Sequence, residues 1–287
     1  MISRKRDGTP VETYDNEGAL IEKLYNTTWG KVVLRILISP CISRLAGAFL
    51  STKLSALFVK PFVKKNGISL TDYPDRKYHS FNDFFTRKIL PMARPIAEDD
   101  TRLISPSDGK VTIFPLQENT RFTIKGVEYS MDILLRNKSL GEKYKGGYGI
   151  LIRLTVNDYH RYCYPVSGRK SKNVHLQGVY HTVNPRAAET CPIYRENTRE
   201  YTLIKTPQFG TVLMMEIGAM LVGRIKNLHQ EKQVNRGEEK GYFEFGGSSI
   251  MIFLQKNHFT PDADLTTNTQ AGEETIVKKG ESLGFLK

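Results

Sequence analysis

A serine that follows two glycines stands at the start of an apolar run near the end of the chain. The stretch reads Gly-Gly-Ser-Ser from Gly246 to Ser249, and Ile-Met-Ile-Phe-Leu follows it. A serine hydroxyl can attack the carbonyl carbon of the peptide bond before it, which converts that amide into a more labile ester. Gly247 would let the backbone distort and would leave its carbonyl open to attack by Ser248. A β-bulge, or a turn with hydroxyl hydrogen bonds, explains the same four residues without any chemistry.

Such a serine needs a base, and two other segments offer an imidazole and a carboxylate. His160 follows the apolar run of residues 148–156, and a histidine at the end of a strand can act as a base near neutral pH. Asp108 lies in Ser-Pro-Ser-Asp-Gly-Lys-Val, residues 105–111, and an aspartate can orient an imidazole and support its charged form. An Asp-Gly step is also an ordinary turn, and a lone histidine is often structural. Self-cleavage at Ser248 is therefore one interpretation, beside a purely structural one.

The elements that would position these residues change in character near residue 95. After that point, short β-type runs are bounded by Gly, Pro and Asn, at residues 110–116, 148–156, 210–225 and 249–256. The predicted fold is α+β, with a helical, membrane-associating region over residues 1–95. A mostly antiparallel β-sandwich or barrel-like catalytic domain over residues 96–287 is predicted to follow it.

A short pattern occurs twice in the second region. Residues 234–243 and 277–286 share Val, a basic residue, Gly-Glu, a second Gly and an aromatic residue at the same spacing. The pattern predicts two related hairpins whose turns place Gly237 and Gly280 at positive φ.

Residues 31–65 are apolar and basic, with seven Lys or Arg and no Asp or Glu. Leu50, Leu54, Leu57 and Phe58 have the spacing of one helix face, and no run reaches the roughly 18 uncharged residues of a membrane span. Short basic and apolar helices favour an anionic membrane surface, as does the net charge of +12. A pair of core helices with basic outer faces is the alternative. A nucleic-acid partner is disfavoured, because the aromatic residues do not alternate with the basic ones.

Together these segments resemble the phosphatidylserine decarboxylase family, whose members are self-processing pyruvoyl enzymes. Several linked motifs in one order are far more specific than a Gly-Ser pair. The matching stretches are FNDFFTRKILPMARPI (81–96), SPSDGKV (105–111), DYHRYCYPVSG (158–168), IGAMLVGRI (217–225), RGEEKGYFEFGGSSIMIFL (236–254) and KKGESLGF (278–285).

The resemblance implies cleavage between Gly247 and Ser248, with Asp108, His160 and Ser248 as the catalytic residues. The chain would divide into a β chain of residues 1–247 and an α chain of residues 248–287, which remain together as a heterodimer. Elimination of the ester and hydrolysis would turn residue 248 into a covalent pyruvoyl group. The resemblance therefore implies a cofactor made from Ser248 itself and no metal ion.

The activity implied by the resemblance is decarboxylation of phosphatidylserine to phosphatidylethanolamine. The serine amine of the lipid would form a Schiff base with the pyruvoyl carbonyl, which accepts electrons as CO₂ leaves. The protein would be peripheral at the cytoplasmic side of the cell membrane, and it could also assemble as a homo-oligomer. Two alternatives stay open: a noncatalytic membrane-bound β module, and a pyruvoyl decarboxylase for another amino-containing lipid.

One position departs from the family pattern. Many members carry His-x-x-His where this chain has His160 and Cys163, and in some members the second histidine is the base. His160 could act alone, or His181 could approach from another segment. Cys163 could be a weak acid-base partner or a small buried residue. Ser249 could orient the scissile carbonyl or bind the carboxylate of the substrate.

Overall fold

The computed structural model describes residues 2–12, 18–124, 126–188, 192–207, 209–219, 224–244 and 248–285. The helices are α1 (Gly18–Asn26), α2 (Thr28–Leu37), α3 (Pro40–Leu50), α4 (Val59–Asn66), α5 (Phe81–Phe85), α6 (Met131–Leu135), α7 (Lys138–Gly141), α8 (Pro185–Ala188), α9 (Ile193–Glu196) and α10 (Ala263–Gln270). Short 3-10 helices lie at Lys53–Phe58, Pro91–Ala93 and Glu142–Tyr144.

The strands are β1 (Ile2–Arg4), β2 (Pro10–Glu12), β3 (Arg102–Ile104), β4 (Gly109–Pro115), β5 (Arg121–Ile124), β6 (Val127–Ser130), β7 (Tyr148–Leu154), β8 (Arg161–Cys163), β9 (Gly168–Lys170), β10 (Val174–Leu176), β11 (Arg199–Lys205), β12 (Thr211–Gly218), β13 (Ile225–Asn227), β14 (Lys232–Val234), β15 (Glu239–Phe243), β16 (Ser248–Leu254), β17 (Thr260–Pro261), β18 (Glu274–Val277) and β19 (Ser282–Phe285).

Most strands join one large sheet in the order β14-β9-β11-β12-β16-β7-β4-β18-β1-β2, with β10 paired to β11. Its pairs are antiparallel except the parallel pair β1 and β18. The four apolar runs of the sequence form β4, β7, β12 and β16, which lie side by side and are buried on both faces. The predicted α+β class and the mostly antiparallel sheet are confirmed. The barrel-like part of the prediction is wrong, because the described strands leave the sheet open at β14 and β2.

Side chains of this sheet alternate between two faces, because successive residues of a strand point in opposite directions. One face holds Ile152 and Ile250, and it packs against Phe243 of a smaller sheet ordered β13-β15-β8. We call it the small-sheet face. The opposite face holds Leu151 and Met251 and packs against residues of β5, β6, α6 and α9. We call it the helix face.

The N-terminal region differs in part from the prediction. Helices α1 to α5 lie before residue 95 as expected, but β1 and β2 also lie there and extend the large sheet beside β18. Within the described ranges, no single helix is long and apolar enough to cross a bilayer. Among the described helices, only α2 and α3 taken together, as a pair bent by 59°, have the required length and composition.

The two copies of the repeated pattern do not form hairpins. Gly237 and Gly280 have φ values of 82° and 89°, so the predicted positive-φ turns are confirmed. The strands on either side of each turn, however, enter different sheets. β14 pairs with β9 and β15 with β8, while β18 pairs with β4 and β19 with β3. Each turn therefore links the large sheet to a smaller one.

Candidate active site

The two serines open β16, a central strand of the large sheet. Ser248 lies in register with Gly218 of β12 and Leu154 of β7, so its side chain is on the small-sheet face. Ser249 lies in register with Arg153 and is on the helix face. Both side chains are fully buried. The hydroxyl of Ser248 has no hydrogen-bond partner among the described residues, whereas that of Ser249 lies beside Tyr194. Buried hydroxyls are normally hydrogen-bonded, so Ser248 marks an unusual place.

Gly246 and Gly247 lie outside the described residues. The predicted cleavage point between Gly247 and Ser248 therefore stays a prediction from the sequence. On the C-terminal side of this peptide bond, Ser248 pairs with β7 on one side and with β12 on the other, so neighbouring strands hold its backbone from both sides.

His160 lies in the connection between β7 and β8 and is almost completely buried. Its ring packs on the ring of Phe85 with centroids 4.0 Å apart. Its carbonyl accepts a hydrogen bond of 2.9 Å from the backbone N–H of Phe243, which lies on β15. His160 therefore contacts the N-terminal helical region through its ring and the small sheet through its backbone.

The hydrogen bonds of His160 decide which ring nitrogen is basic. Nδ1 lies 2.9 Å from the carbonyl oxygen of Asp158, and a carbonyl can only accept, so Nδ1 carries the proton. Nε2 is then the nitrogen with the free lone pair, and it has no partner among the described residues. Burial, with the positive charge of Arg87, lowers the pKa of His160 to about 3. The imidazole is therefore neutral at physiological pH, so the lone pair of Nε2 can accept a proton, although a pKa this far below 7 makes it a weaker base than an ordinary histidine.

Asp108 lies in the turn before β4, and its carboxylate is held by other groups. Arg94 donates to it from Nε at 2.9 Å and from Nη2 at 2.7 Å, and the backbone N–H of Lys279 donates at 2.8 Å. The same turn contacts β8, because the N–H of Cys163 donates to the carbonyl of Pro106 at 2.9 Å. Asp108 therefore lies beside the segment that carries His160.

The three predicted catalytic residues lie in neighbouring elements without forming a hydrogen-bonded triad in the described residues. The charge of Asp108 acts on His160 and favours its protonated form, but no hydrogen bond joins the two side chains. His160 and Ser248 each present one unpartnered polar atom, a basic nitrogen and a hydroxyl. Whether all three act in catalysis stays a prediction.

The two supporting candidates have different surroundings. Cys163 is a fully buried free thiol on β8, and burial raises its pKa to about 11, so it remains protonated at neutral pH. His181 has a partner at each ring nitrogen: Tyr25 at 3.0 Å from Nδ1 and Glu196 at 3.2 Å from Nε2. Burial lowers the pKa of His181, and the charge of Glu196 opposes that change.

Sequence reasoning missed the partners of the site. Arg94 stands in the 81–96 motif, but nothing local indicates that it binds a carboxylate in another segment. Lys240 and Glu216 form a fully buried ion pair of 2.7 Å, and Lys240 also donates to Asn227 at 2.7 Å. The available signal was a lone Glu within the apolar run 210–225, because a buried charge requires a partner.

The residues present fit a group made from the chain itself. A buried serine with an unpartnered hydroxyl opens a strand, and an imidazole with an unpartnered basic nitrogen belongs to His160, whose backbone carbonyl bonds to the small sheet. In the described part of the chain, no group of three or more His, Cys, Asp or Glu is placed to hold a metal ion.

Comparison with known proteins gives consistent matches along the chain. The family model described as phosphatidylserine decarboxylase matches residues 81–285. Phosphatidylserine decarboxylase proenzyme 2 of Clostridium acetobutylicum is 39% identical over 262 residues, covering 91% of this chain and 90% of that protein. The phosphatidylserine decarboxylase proenzyme of Fusobacterium nucleatum is 36% identical over 292 residues, covering 100% and 97%. That of Clostridium botulinum is 36% identical over 284 residues, covering 96% of each.

Proposed function

The chain belongs to the phosphatidylserine decarboxylase family, and we propose that it cuts itself between Gly247 and Ser248 and then removes CO₂ from the headgroup of phosphatidylserine. One observation carries this proposal. The buried hydroxyl of Ser248, on the small-sheet face, and the buried basic nitrogen of His160, whose backbone carbonyl bonds to Phe243 of the small sheet, both lack partners among the described residues. Self-cleavage of this kind, in which a serine hydroxyl attacks the peptide bond before it, needs a hydroxyl and a base.

Cleavage begins with the transfer of a proton between these two side chains. Nε2 of His160 takes the hydroxyl proton of Ser248 as the oxygen attacks the carbonyl carbon of Gly247. The C–N bond breaks, and the proton passes to the freed amine, which leaves an ester. The Cα proton of residue 248 is then lost. The bond between Cβ of residue 248 and the ester oxygen breaks, and Gly247 is released as a carboxylate. Water replaces the nitrogen of residue 248 and ammonia leaves.

The group formed at position 248 would be a pyruvoyl, whose carbonyl would supply a partner for the lipid amine and an acceptor for the electron pair left by the departing carboxylate. Around it, the chain excludes water, because β16 is buried on both faces. His160 keeps its protonated Nδ1 on the carbonyl of Asp158 and moves a proton only at Nε2.

The experiment is intact-mass analysis of the purified, folded chain. We expect two species, residues 1–247 and residues 248–287, the second with a blocked N-terminus. A single uncleaved chain would instead favour a noncatalytic module. Assays of the cleaved protein with phosphatidylserine and with other amino-phospholipids distinguish the proposed substrate from the alternative lipid.

We also propose that helices α2 and α3 place the protein on an anionic membrane surface, at the cytoplasmic side. Trp29, Val32, Val33 and Ile36 follow the i, i+3, i+4, i+7 spacing of one helix face, and all four are exposed. Exposed basic residues lie in the same N-terminal region, at Lys31, Arg35, Arg44, Lys53 and Lys60. An exposed apolar helix face in a basic region is typical of interfacial helices. Core helices would instead bury such a stripe.

Trp29 reports this interaction directly, because it is the single tryptophan of the chain and is 81% exposed. We expect its fluorescence to shift to shorter wavelength when vesicles containing anionic lipid are added, and less with zwitterionic vesicles. Val33→Ser combined with Ile36→Ser should weaken binding about 10-fold or more, from the loss of apolar contact. Ile133→Ser, at an exposed apolar residue outside these helices, is the matched control. Equal binding by all variants would place the docking surface elsewhere.

A further inference from the structure

His181 connects the N-terminal helices to the large sheet. The Tyr25 hydroxyl on α1 lies 3.0 Å from its Nδ1, and the Glu196 carboxylate at the end of α9 lies 3.2 Å from its Nε2. Ile21, Tyr25 and Leu34, from α1 and α2, pack with Ala187, six residues further along the chain. α1 and α2 are therefore fixed against the segment that carries His181.

The polarity of these contacts defines the tautomer of the neutral ring. A carboxylate only accepts hydrogen bonds, so Nε2 carries the proton and donates to Glu196. Nδ1 is then an acceptor, and the Tyr25 hydroxyl donates to it. In this arrangement, the lone pair that a general base would need is already directed at Tyr25.

Asn197 fixes the backbone of His181 to the end of β12. The side chain is fully buried, accepts from the N–H of His181 at 2.7 Å, and donates to the His181 carbonyl at 2.8 Å. Its amide nitrogen also donates to the carbonyl of Gly218 at 2.8 Å. The N–H of Gly218 donates to the carbonyl of Thr198 at 2.9 Å. Gly218 is the residue in register with Ser248.

We propose that His181 is a positioning residue for self-cleavage. Through Asn197 it fixes Gly218, and Gly218 fixes the backbone of Ser248 from the β12 side. Because the Tyr25 hydroxyl on α1 donates to His181, this geometry also depends on the position of α1. The inference rests on the proposed self-cleavage and assigns His181 a role different from that of a base. A small displacement of Ser248 matters, because attack requires its oxygen close to the Gly247 carbonyl carbon.

The test replaces one hydrogen bond at a time and follows self-cleavage of the full chain by intact mass. Tyr25→Phe removes only the hydroxyl. In His181→Asn, the amide oxygen can take the place of Nδ1 and accept from Tyr25. In His181→Gln, the amide nitrogen can take the place of Nε2 and donate to Glu196. We expect Tyr25→Phe and His181→Gln to cleave roughly 5-fold more slowly than wild type, the equivalent of one neutral hydrogen bond. His181→Asn should cleave within about 2-fold of wild type, since it keeps that bond.

A matched control is Tyr164→Phe, which removes another Tyr–His bond, 3.3 Å long, between Tyr164 and His229. It should cleave at the wild-type rate, because that bond does not reach Gly218. Thermal melting of each variant separates loss of positioning from unfolding.

The other outcomes overturn the inference in distinguishable ways. If wild type, Tyr25→Phe and His181→Gln all cleave equally fast, His181 does not position Ser248, and the proposed function stands. If both His181 variants lose on the order of 100-fold or more while Tyr25→Phe is normal, His181 is itself the base. A wild-type chain that never cleaves would remove both the inference and the proposed function.

Discussion

The two faces of the large sheet at the start of β16 offer a natural comparison. Each face has one buried serine from the same dipeptide and one buried ion pair near it. On the small-sheet face, Glu216 lies opposite Ile250, two residues along β16 from Ser248, and pairs with Lys240 at 2.7 Å. On the helix face, Ser249 is in register with Arg153, which is paired with Glu274 at 3.0 Å from Nε.

The difference between the faces is the imidazole. His160 is attached to the small sheet through its backbone bond to Phe243, so the side of Ser248 has a neutral basic nitrogen. On the other side, Arg153 and Tyr194 are the polar neighbours of Ser249, and burial raises the pKa of Tyr194. If self-cleavage takes place at Ser248 as proposed, a buried serine with a nearby charge pair is not sufficient for it. On this proposal, the neutral base distinguishes two serines that are adjacent in sequence.

The largest expected effect separates the two serines. Ser248→Ala removes the attacking oxygen, so cleavage should be abolished. Ser249→Ala should still cleave, within about 10-fold of wild type, because its hydroxyl is on the opposite face. Intact mass after a fixed incubation measures both. Normal cleavage by Ser248→Ala would show that position 248 is not the nucleophile.

Loss of the base should have the next largest effect. His160→Ala should slow cleavage on the order of 100-fold or more, the usual contribution of a positioned general base. The rate of appearance of residues 248–287 is the measurement. Near-normal cleavage would contradict the assignment and remove the distinction between the two faces.

His160 should also make stability depend on pH. Its pKa is about 3 in the folded protein, against an ordinary value of 6.5. Between these values the unfolded chain binds a proton that the folded chain does not, so the unfolding free energy falls as the pH decreases from about 6.5. Urea unfolding of Ser248→Ala at pH 7 and pH 5 should show a larger loss than the same chain with His160→Gln added. Equal losses would mean that His160 does not remain neutral when buried.

Loss of either buried ion pair should lower the unfolding free energy by a similar amount, but the two losses should slow cleavage to different extents. Lys240→Met and Arg153→Met each leave a buried carboxylate without its cation, at a cost of about 3–5 kcal/mol in unfolding free energy. Lys240→Met should also slow cleavage more, because Glu216 is on the face of Ser248. The control is Arg121→Met, whose pair with Glu128 is exposed and should contribute less than about 1 kcal/mol. Equal slowing by both buried variants would show that the faces act together.

The smallest effect is expected at Cys163. With its pKa raised to about 11, the thiol does not provide a base at neutral pH. Cys163→Ala should therefore cleave within about 3-fold of wild type, the difference being lost packing. A loss comparable with that of His160→Ala would make the thiol part of the chemistry.

The sequence by itself determined the central strands and the family. β4, β7, β12 and β16 were predicted because a strand buried on both faces needs a continuous apolar run, which is a local property. The positive φ of Gly237 and Gly280 was also predictable, because a tight turn requires it locally. Asp108, His160 and Ser248 were identified from short motifs in a fixed order.

Only the tertiary structure decided which strands pair and which side chains meet. Residues 2–12 are polar and short of apolar signal, yet they form strands because β18 offers an edge to pair with. Asp108 meets Arg94 and the backbone of Lys279, which is 171 residues away. The link from Tyr25 through His181 to Gly218 joins three distant segments. Propensity and periodicity act over a few residues, whereas such contacts depend on the register and packing of the whole chain.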